Sequence, residues 1–176
     1  ISACLVGSEM CIRDSAGTVG INMGAMMAAA DRITIEITGR GGHGAHPYQT
    51  VDVVLAAAHI TTAVQSIVSR NVRAIDSAVI SLCAVQAGDL GAFSVMPGTA
   101  TLVGTVRTFD PAVQDRVEQR LQELCSAVAL GLGATAKVNY ERIYPATINS
   151  PTEAAFAADV APVSYTHLRA HETGRN

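Results

Sequence analysis

Tryptophan is absent from this chain, aromatics make up 4% of its 176 residues, and charged residues only 15%. Each shortage excludes something. Twelve Lys plus Arg stand against 15 Asp plus Glu, a formal net charge of −3. The chain thus has neither the basic footprint nor the stacking platforms of a nucleic-acid binder. With 49% hydrophobic residues and so little charge, it does not have the composition of a disordered segment. Apolar runs are only a few residues long, from which neither a bilayer-spanning segment nor a membrane partner is expected. The four cysteines, Cys4, Cys11, Cys83 and Cys125, have neither metal-ligand nor disulfide-framework spacing. That is the usage expected of reduced thiols in a cytoplasmic protein. The length suits one domain with a real core.

The ends differ in character from the middle. Residues 4–15 (CLVGSEMCIRDS) and 162–176 (PVSYTHLRAHETGRN) lack an apolar period and the Ala/Val/Ile richness of the rest. They resemble translated sequencing-library adapter of the kind that recurs at the ends of metagenomic gene fragments. Residues 1–15 and 162–176 are therefore set aside from the fold argument. With them goes a decoy: His167 and His171, followed by Glu172, imitate a zinc motif. The catalytic glutamate of HExxH lies between its histidines, not after them.

From Asp31 the middle alternates, with Ile33, Ile35 and Ile37 on one side and Thr34, Glu36 and Thr38 on the other. This is a strand with one wet face. A glycine-rich loop, Gly39–Pro47, precedes a helix over about 52–69, whose expected apolar stripe is Val54, Leu55, Ala58, Thr62 and Ile67. Asp52 is placed to favour the positive end of that helix. Strands are expected over 78–87 and 99–108, joined by a loop over 88–98. Asp110-Pro111 then opens a long helix, with Asp110 as N-cap and Val113, Val117, Leu121, Leu124 and Val128 as its core stripe. Gly131 and Gly133 end it, residues 135–144 form a fourth strand, and residues 153–160 begin a further helix.

The order β-α-β-β-α-β with half-wet strands predicts an α+β, ferredoxin-like fold: a four-stranded antiparallel sheet with two helices on one face. The first two strands are parallel, being joined by a crossover helix. Their following loops, 39–47 and 88–98, are therefore expected to be neighbours.

Candidate chemistry is sparse. Residues 39–44 satisfy G-x-G-x-x-G, but four residues separate them from any helical pattern, and no acid lies between Asp52 and Asp76. Both facts argue against a dinucleotide site. His43 and His46 have no third metal ligand nearby. His46 and His59 read as surface imidazoles. His43, flanked by Gly41, Gly42 and Gly44, is presented without bulky neighbours, as suits donating a hydrogen bond to an oxyanion or holding a substrate. Ser94 has no G-x-S-x-G context, and Cys83 and Cys125 read as inert buried thiols.

The runs GRGGHGAHP (Gly39–Pro47), SIVSRNV (Ser66–Val72) and VMPGTATLVGTVRTFDP (Val95–Pro111) closely resemble the lid, or dimerisation, domain of the M20 metallopeptidase/amidohydrolase family, in its hippurate hydrolase and N-acyl-amino-acid amidohydrolase branch. The resemblance covers nearly all of residues 16–161. It implies a connection from a missing catalytic domain over 16–30, a lid over 31–144 and a return over 145–161. It also implies a homodimer formed through the lid, and a small N-acyl amino acid or peptide as substrate. Two divalent metal ions, zinc or manganese, are expected in the full-length enzyme, with no cofactor in this stretch, which should be inactive alone. His43 matches the family's lid histidine, which reaches the partner's active site. Ser94 stands where the family usually has a substrate-contacting Asn. Arg107 is placed to hold a substrate carboxylate, although the topology sets it near the other end of its strand from Ser94; a solvated strand arginine is the open alternative. A stand-alone ferredoxin-like binding or oligomerisation module is the alternative for the whole chain.

Overall fold

The structure, a computed structural model, describes residues 18–164 and 169–172. In chain order the elements are β1 (Thr18–Ile21), β2 (Gly24–Met27), β3 (Ala29–Thr38), β4 (Gly42–His43), α1 (Val53–Asn71), β5 (Ala78–Ala87), β6 (Val95–Met96), β7 (Thr99–Thr108), α2 (Pro111–Gly131), β8 (Thr135–Tyr144), β9 (Thr147–Asn149), α3 (Pro151–Ser164) and β10 (Arg169–Glu172). They divide between two compact units, Met27–Ala146 and the flanking segments.

In the Met27–Ala146 unit the sheet order is β5-β7-β3-β8, every neighbouring pair antiparallel. This is the expected α+β arrangement, and β5, β7 and β8 have the expected limits. Ile33, Ile35 and Ile37 face inward with Leu102 and Val106, and pack against both helices in one core. The wet face opposite carries Arg32, Thr34 and Glu36. Each helix starts on an aspartate: Asp52 accepts from the Val54 and Leu55 N–H groups at 2.9 Å. Asp110 accepts from the Ala112 N–H at 2.7 Å, with Pro111 in the first turn. Those bonds satisfy amides that the helix itself leaves unpaired.

The stripe expected for α1 is corrected. Its buried residues are Val53, Ala56, Ala57, Ile60, Val64 and Ile67, whereas Val54, Leu55, Ala58 and Thr62 are exposed. The helix is apolar on two faces, and the face that fills the sheet is the one continued by Ile60 and Val64. At 19 residues α1 is also long and apolar enough by composition to cross a membrane, contrary to the expectation from run length. Its inner face is packed into the core and its outer face includes His59, Gln65 and Ser69. The α2 stripe is displaced by about one position, with Gln114, Val117, Leu121, Cys125 and Ala129 buried. Val113, Leu124 and Val128 pack at its margin.

Cys125 is buried, and desolvation pushes its thiol up to about 12. Cys83, expected to be buried, is exposed. It sits where the β5–β7 register shifts between Leu82 and Ala84, a bulge that turns an edge-strand side chain outward.

In the flanking unit β1 runs parallel to β10, β2 pairs with β9, and the Asn149 side chain donates to the Asn22 carbonyl at 2.9 Å. Of the adapter-like ends, residues 1–15 lie outside the described residues. Residues 162–164 end α3 and residues 169–172 form β10.

Candidate functional site

The two loops expected to be neighbours are joined. Gly42 pairs with Met96 and His43 with Val95, antiparallel. The Gly44 N–H donates to the Ser94 carbonyl at 2.8 Å and the Gly39 N–H to the Gly98 carbonyl at 2.9 Å. The glycines serve this close approach. A Cβ on Gly41 would lie 2.6 Å from the Met96 carbonyl oxygen, and one on Gly44 would lie 3.2 Å from that of Ser94. On the other side the Arg40 and Val51 backbones exchange hydrogen bonds at 3.4 and 2.9 Å. The glycine run is therefore a packing seam between two loops.

His43 stands on this seam, exposed. Its Nδ1 accepts the Ala45 N–H at 3.0 Å. A ring nitrogen that accepts carries no proton, so the neutral imidazole keeps its proton on Nε2, free to donate outward. The His46 ring meets His43 edge-on at 5.5 Å between centroids, and Tyr48 meets His46 at 6.0 Å. Cross-strand partners share a face, so Val95, 59% exposed, lies beside His43. Met96 turns the other way, its sulfur 3.4 Å from the Thr50 hydroxyl.

Ser94 thus lies next to His43, held through its carbonyl. Arg107 does not join them. It pairs with Ala30 and Val79 at the far end of the sheet and donates to the Tyr144 hydroxyl at 3.1 Å. Eight residues of extended strand beyond Thr99 put it roughly 25 Å from the His43 end. A cavity of about 310 Å³ lined by Asn71, Arg73, Asp76, Asp110 and Arg116 is also remote from His43, at the end of α1 and the start of α2. Its main ion pair is internal: Arg73 and Asp76 bond at 2.8 Å, which lowers the carboxyl and raises the guanidinium.

Sequence reasoning missed a second polar cluster. Asp31 is 1% exposed, and its carboxylate accepts Gln114 Nε2 at 2.9 and 2.7 Å and the Tyr140 hydroxyl at 2.5 Å. Burial and the Asp31 carboxylate push the Tyr140 hydroxyl up, well above its ordinary range. A buried acid, served among the described residues by neutral side-chain donors, ties β3, α2 and β8 together. The available signal was Asp31 at the start of an otherwise apolar inward row and Gln114 one turn before Val117.

The profile of the M20-type peptidase dimerisation domain matches residues 29–131, from the first residue of β3 to the last of α2. The chain belongs to the M20 peptidase dimerisation-domain family. Relatives of this dimerisation domain include the hippurate hydrolase of Campylobacter jejuni, 38% identical over 80% of this chain and 36% of that protein. The N-acyl-L-amino acid amidohydrolase of Geobacillus stearothermophilus is 37% identical over 82% of the chain and 39% of that protein. Among solved structures, a dinuclear metal-binding peptidase of the M20 family from Bacillus subtilis is similar at 28% identity and a TM-score of 0.66. The match covers 91% of this chain and 38% of that one. The chain thus spans between a third and two fifths of the length of these relatives. Among the described residues of the dimerisation domain, no three His, Cys, Asp or Glu side chains gather as a metal-ligand set. The residues present in this domain do not fit a metal centre.

Proposed function

We propose that this domain is the lid of a metal-dependent amidohydrolase that cleaves the amide of N-acyl amino acids or small peptides, and that the lid pairs two subunits. The observation carrying this reading is His43: an exposed imidazole with Nδ1 held by the Ala45 N–H, leaving Nε2–H free to donate. Such a donor stabilises the oxygen of an amide carbonyl as it gains charge during attack by water. The relatives' names, hippurate hydrolase and N-acyl-L-amino acid amidohydrolase, support amide hydrolysis as the reaction. The connections expected over 16–30 and 145–161 lead, in this reading, from and back to the catalytic domain, although Ala29 and Ala30 already lie in β3 of the lid.

The proposed dimer surface is the β5 edge with the outer face of α1. The strand AVISLCAVQA carries no charge, and Val79 and Val85 are 50% and 59% exposed. The opposite edge, β8, bears Lys137, Glu141 and Arg142, charges of the kind that discourage strand addition. The Val54, Leu55 and Ala58 face of α1 adds apolar area on the β5 side. Two-fold pairing of β5 with its copy would run the strands antiparallel. It would bring the His43 end of one lid to the same end as Arg107 of the other, resolving their separation within one chain. In this arrangement Arg107 holds a substrate carboxylate of its own subunit's site, Ser94 lines the neighbouring loop, and the partner supplies the His43 donor.

The test is His43→Ala in the full-length enzyme. Turnover should fall about 10²- to 10³-fold, as for loss of one oxyanion donor, with the dimer intact by sedimentation. Unchanged turnover would refute the catalytic role of His43.

A further inference from the structure

Val95 pairs with His43 across the seam, and Phe93 stands two residues before Val95 in the adjoining turn; we propose that these two apolar side chains receive the acyl group of the substrate. They would make the enzyme favour bulky apolar acyl groups over acetyl. The inference rests on the amide-hydrolysis reading above and names what that site selects.

Phe93 is 95% exposed and Val95 59%. Large apolar side chains left this open near a polar group mark a contact surface. Their exposure is not slack in the chain. The Gly91 N–H donates to the Asp89 carboxylate at 2.8 Å, the Ala92 N–H to the Asp89 carbonyl at 3.0 Å and the Val95 N–H to the Ala92 carbonyl at 2.9 Å. The Gly44–Ser94 bond then fastens this double turn to the histidine loop. Phe93 is the residue before Ser94, so its Cα lies within roughly two residue spacings, about 7 Å, of the His43 strand.

The neighbours of His43 differ in chemistry. On its own loop His46 and Tyr48 bring polar tips. On the paired loop Val95 lies beside it, and Phe93 belongs to the double turn that Asp89 opens. An N-acyl amino acid has one anionic half and one acyl half. With its carbonyl oxygen on His43 Nε2–H, the acyl half suits the apolar side chains of the paired loop, and Asp89 repels the carboxylate from them.

The experiment compares kcat/KM for the N-acetyl, N-octanoyl and N-benzoyl derivatives of one amino acid, using full-length wild type, Phe93→Ala and Phe93→Leu. Phe93→Ala should lower the octanoyl and benzoyl values about tenfold and change the acetyl value less than about twofold. Phe93→Leu should keep most of the preference, and both variants should remain dimeric by sedimentation. An unchanged acyl profile, or an equal fall for all three substrates, would overturn the proposal. Loss of the dimer would overturn it too, since Phe93 would then belong to a subunit contact. If wild type hydrolyses none of the three, the amide-hydrolysis reading itself fails, before any variant is compared, and the acyl proposal falls with it.

Discussion

Replacing Tyr140 by Phe removes a single oxygen from the cluster around Asp31, and the structure sets what that should cost. Among the described residues, the Tyr140 hydroxyl is one of two side-chain donors to a carboxylate that is 1% exposed; the other is Gln114. A hydrogen bond to a charged group contributes about 1.5–3 kcal/mol. Tyr140→Phe is therefore expected to destabilise the domain by about 2 kcal/mol, read as a lower urea midpoint at unchanged m-value. Gln114→Ala should cost a similar amount. The double variant should cost more than the sum of the two, because the carboxylate then loses both of these donors. There is also a pH signature. Burial and Asp31 raise the Tyr140 hydroxyl in the folded state, so its contribution is complete below the ordinary tyrosine value, about 10. It is lost as pH rises beyond that, because the folded state resists giving up the proton. Wild type should thus lose stability above about pH 10 more steeply than Tyr140→Phe. A Tyr140→Phe urea midpoint equal to wild type would refute the argument that neutral donors hold this acid.

Three further outcomes follow from the geometry. His43→Gln keeps a side-chain N–H donor at this position, so turnover of the full-length enzyme should fall less than in His43→Ala; equal losses would show that a donor alone does not serve the site. Leu55→Asp on the outer face of α1 should convert the dimer to monomer in sedimentation without unfolding the domain, and a dimer unaffected by it would move the interface elsewhere. Cys83, exposed in the single domain, should react with iodoacetamide at pH 8 in the monomeric Leu55→Asp variant and more slowly in the dimer, whereas Cys125, its thiol pushed up to about 12, should react in neither. Peptide mass mapping reads both, and equal labelling would contradict the burial.

The sheet was legible because its strands carry their period openly. Ile33, Ile35 and Ile37 against Thr34, Glu36 and Thr38 define one face, and three of the four main strands have the limits that their residues suggest. Loop adjacency followed from topology alone, and the Gly42–Met96 and His43–Val95 pairs realise it. The phase of α1 was not legible, because Val54, Leu55 and Ala58 are as apolar as the residues that fill the core. Such a helix shows its inner face only once a sheet chooses it. The bulge that exposes Cys83 depends on a register shift against β7, which no local pattern encodes. Asp31 and Gln114 read as ordinary polar residues, 83 positions apart, and only the fold makes them partners. At the site, His43 was visible from its glycine neighbours, but the Ala45 N–H that orients it is a backbone group and leaves no mark on the sequence.

The central claim is that one active site takes its oxyanion donor and its carboxylate holder from different subunits, and mixed dimers test it most directly. His43→Ala and Arg107→Ala, each made in the full-length enzyme, should both be nearly inactive as homodimers. When equal amounts are dissociated and reassembled, half the dimers carry one chain of each kind. In each of those, one site has the Arg107 of the first chain and the His43 of the second, both intact. Activity should therefore return to about a quarter of wild type. A mixture as inactive as its parents would show that both residues serve the site from the same chain, and would contradict the account.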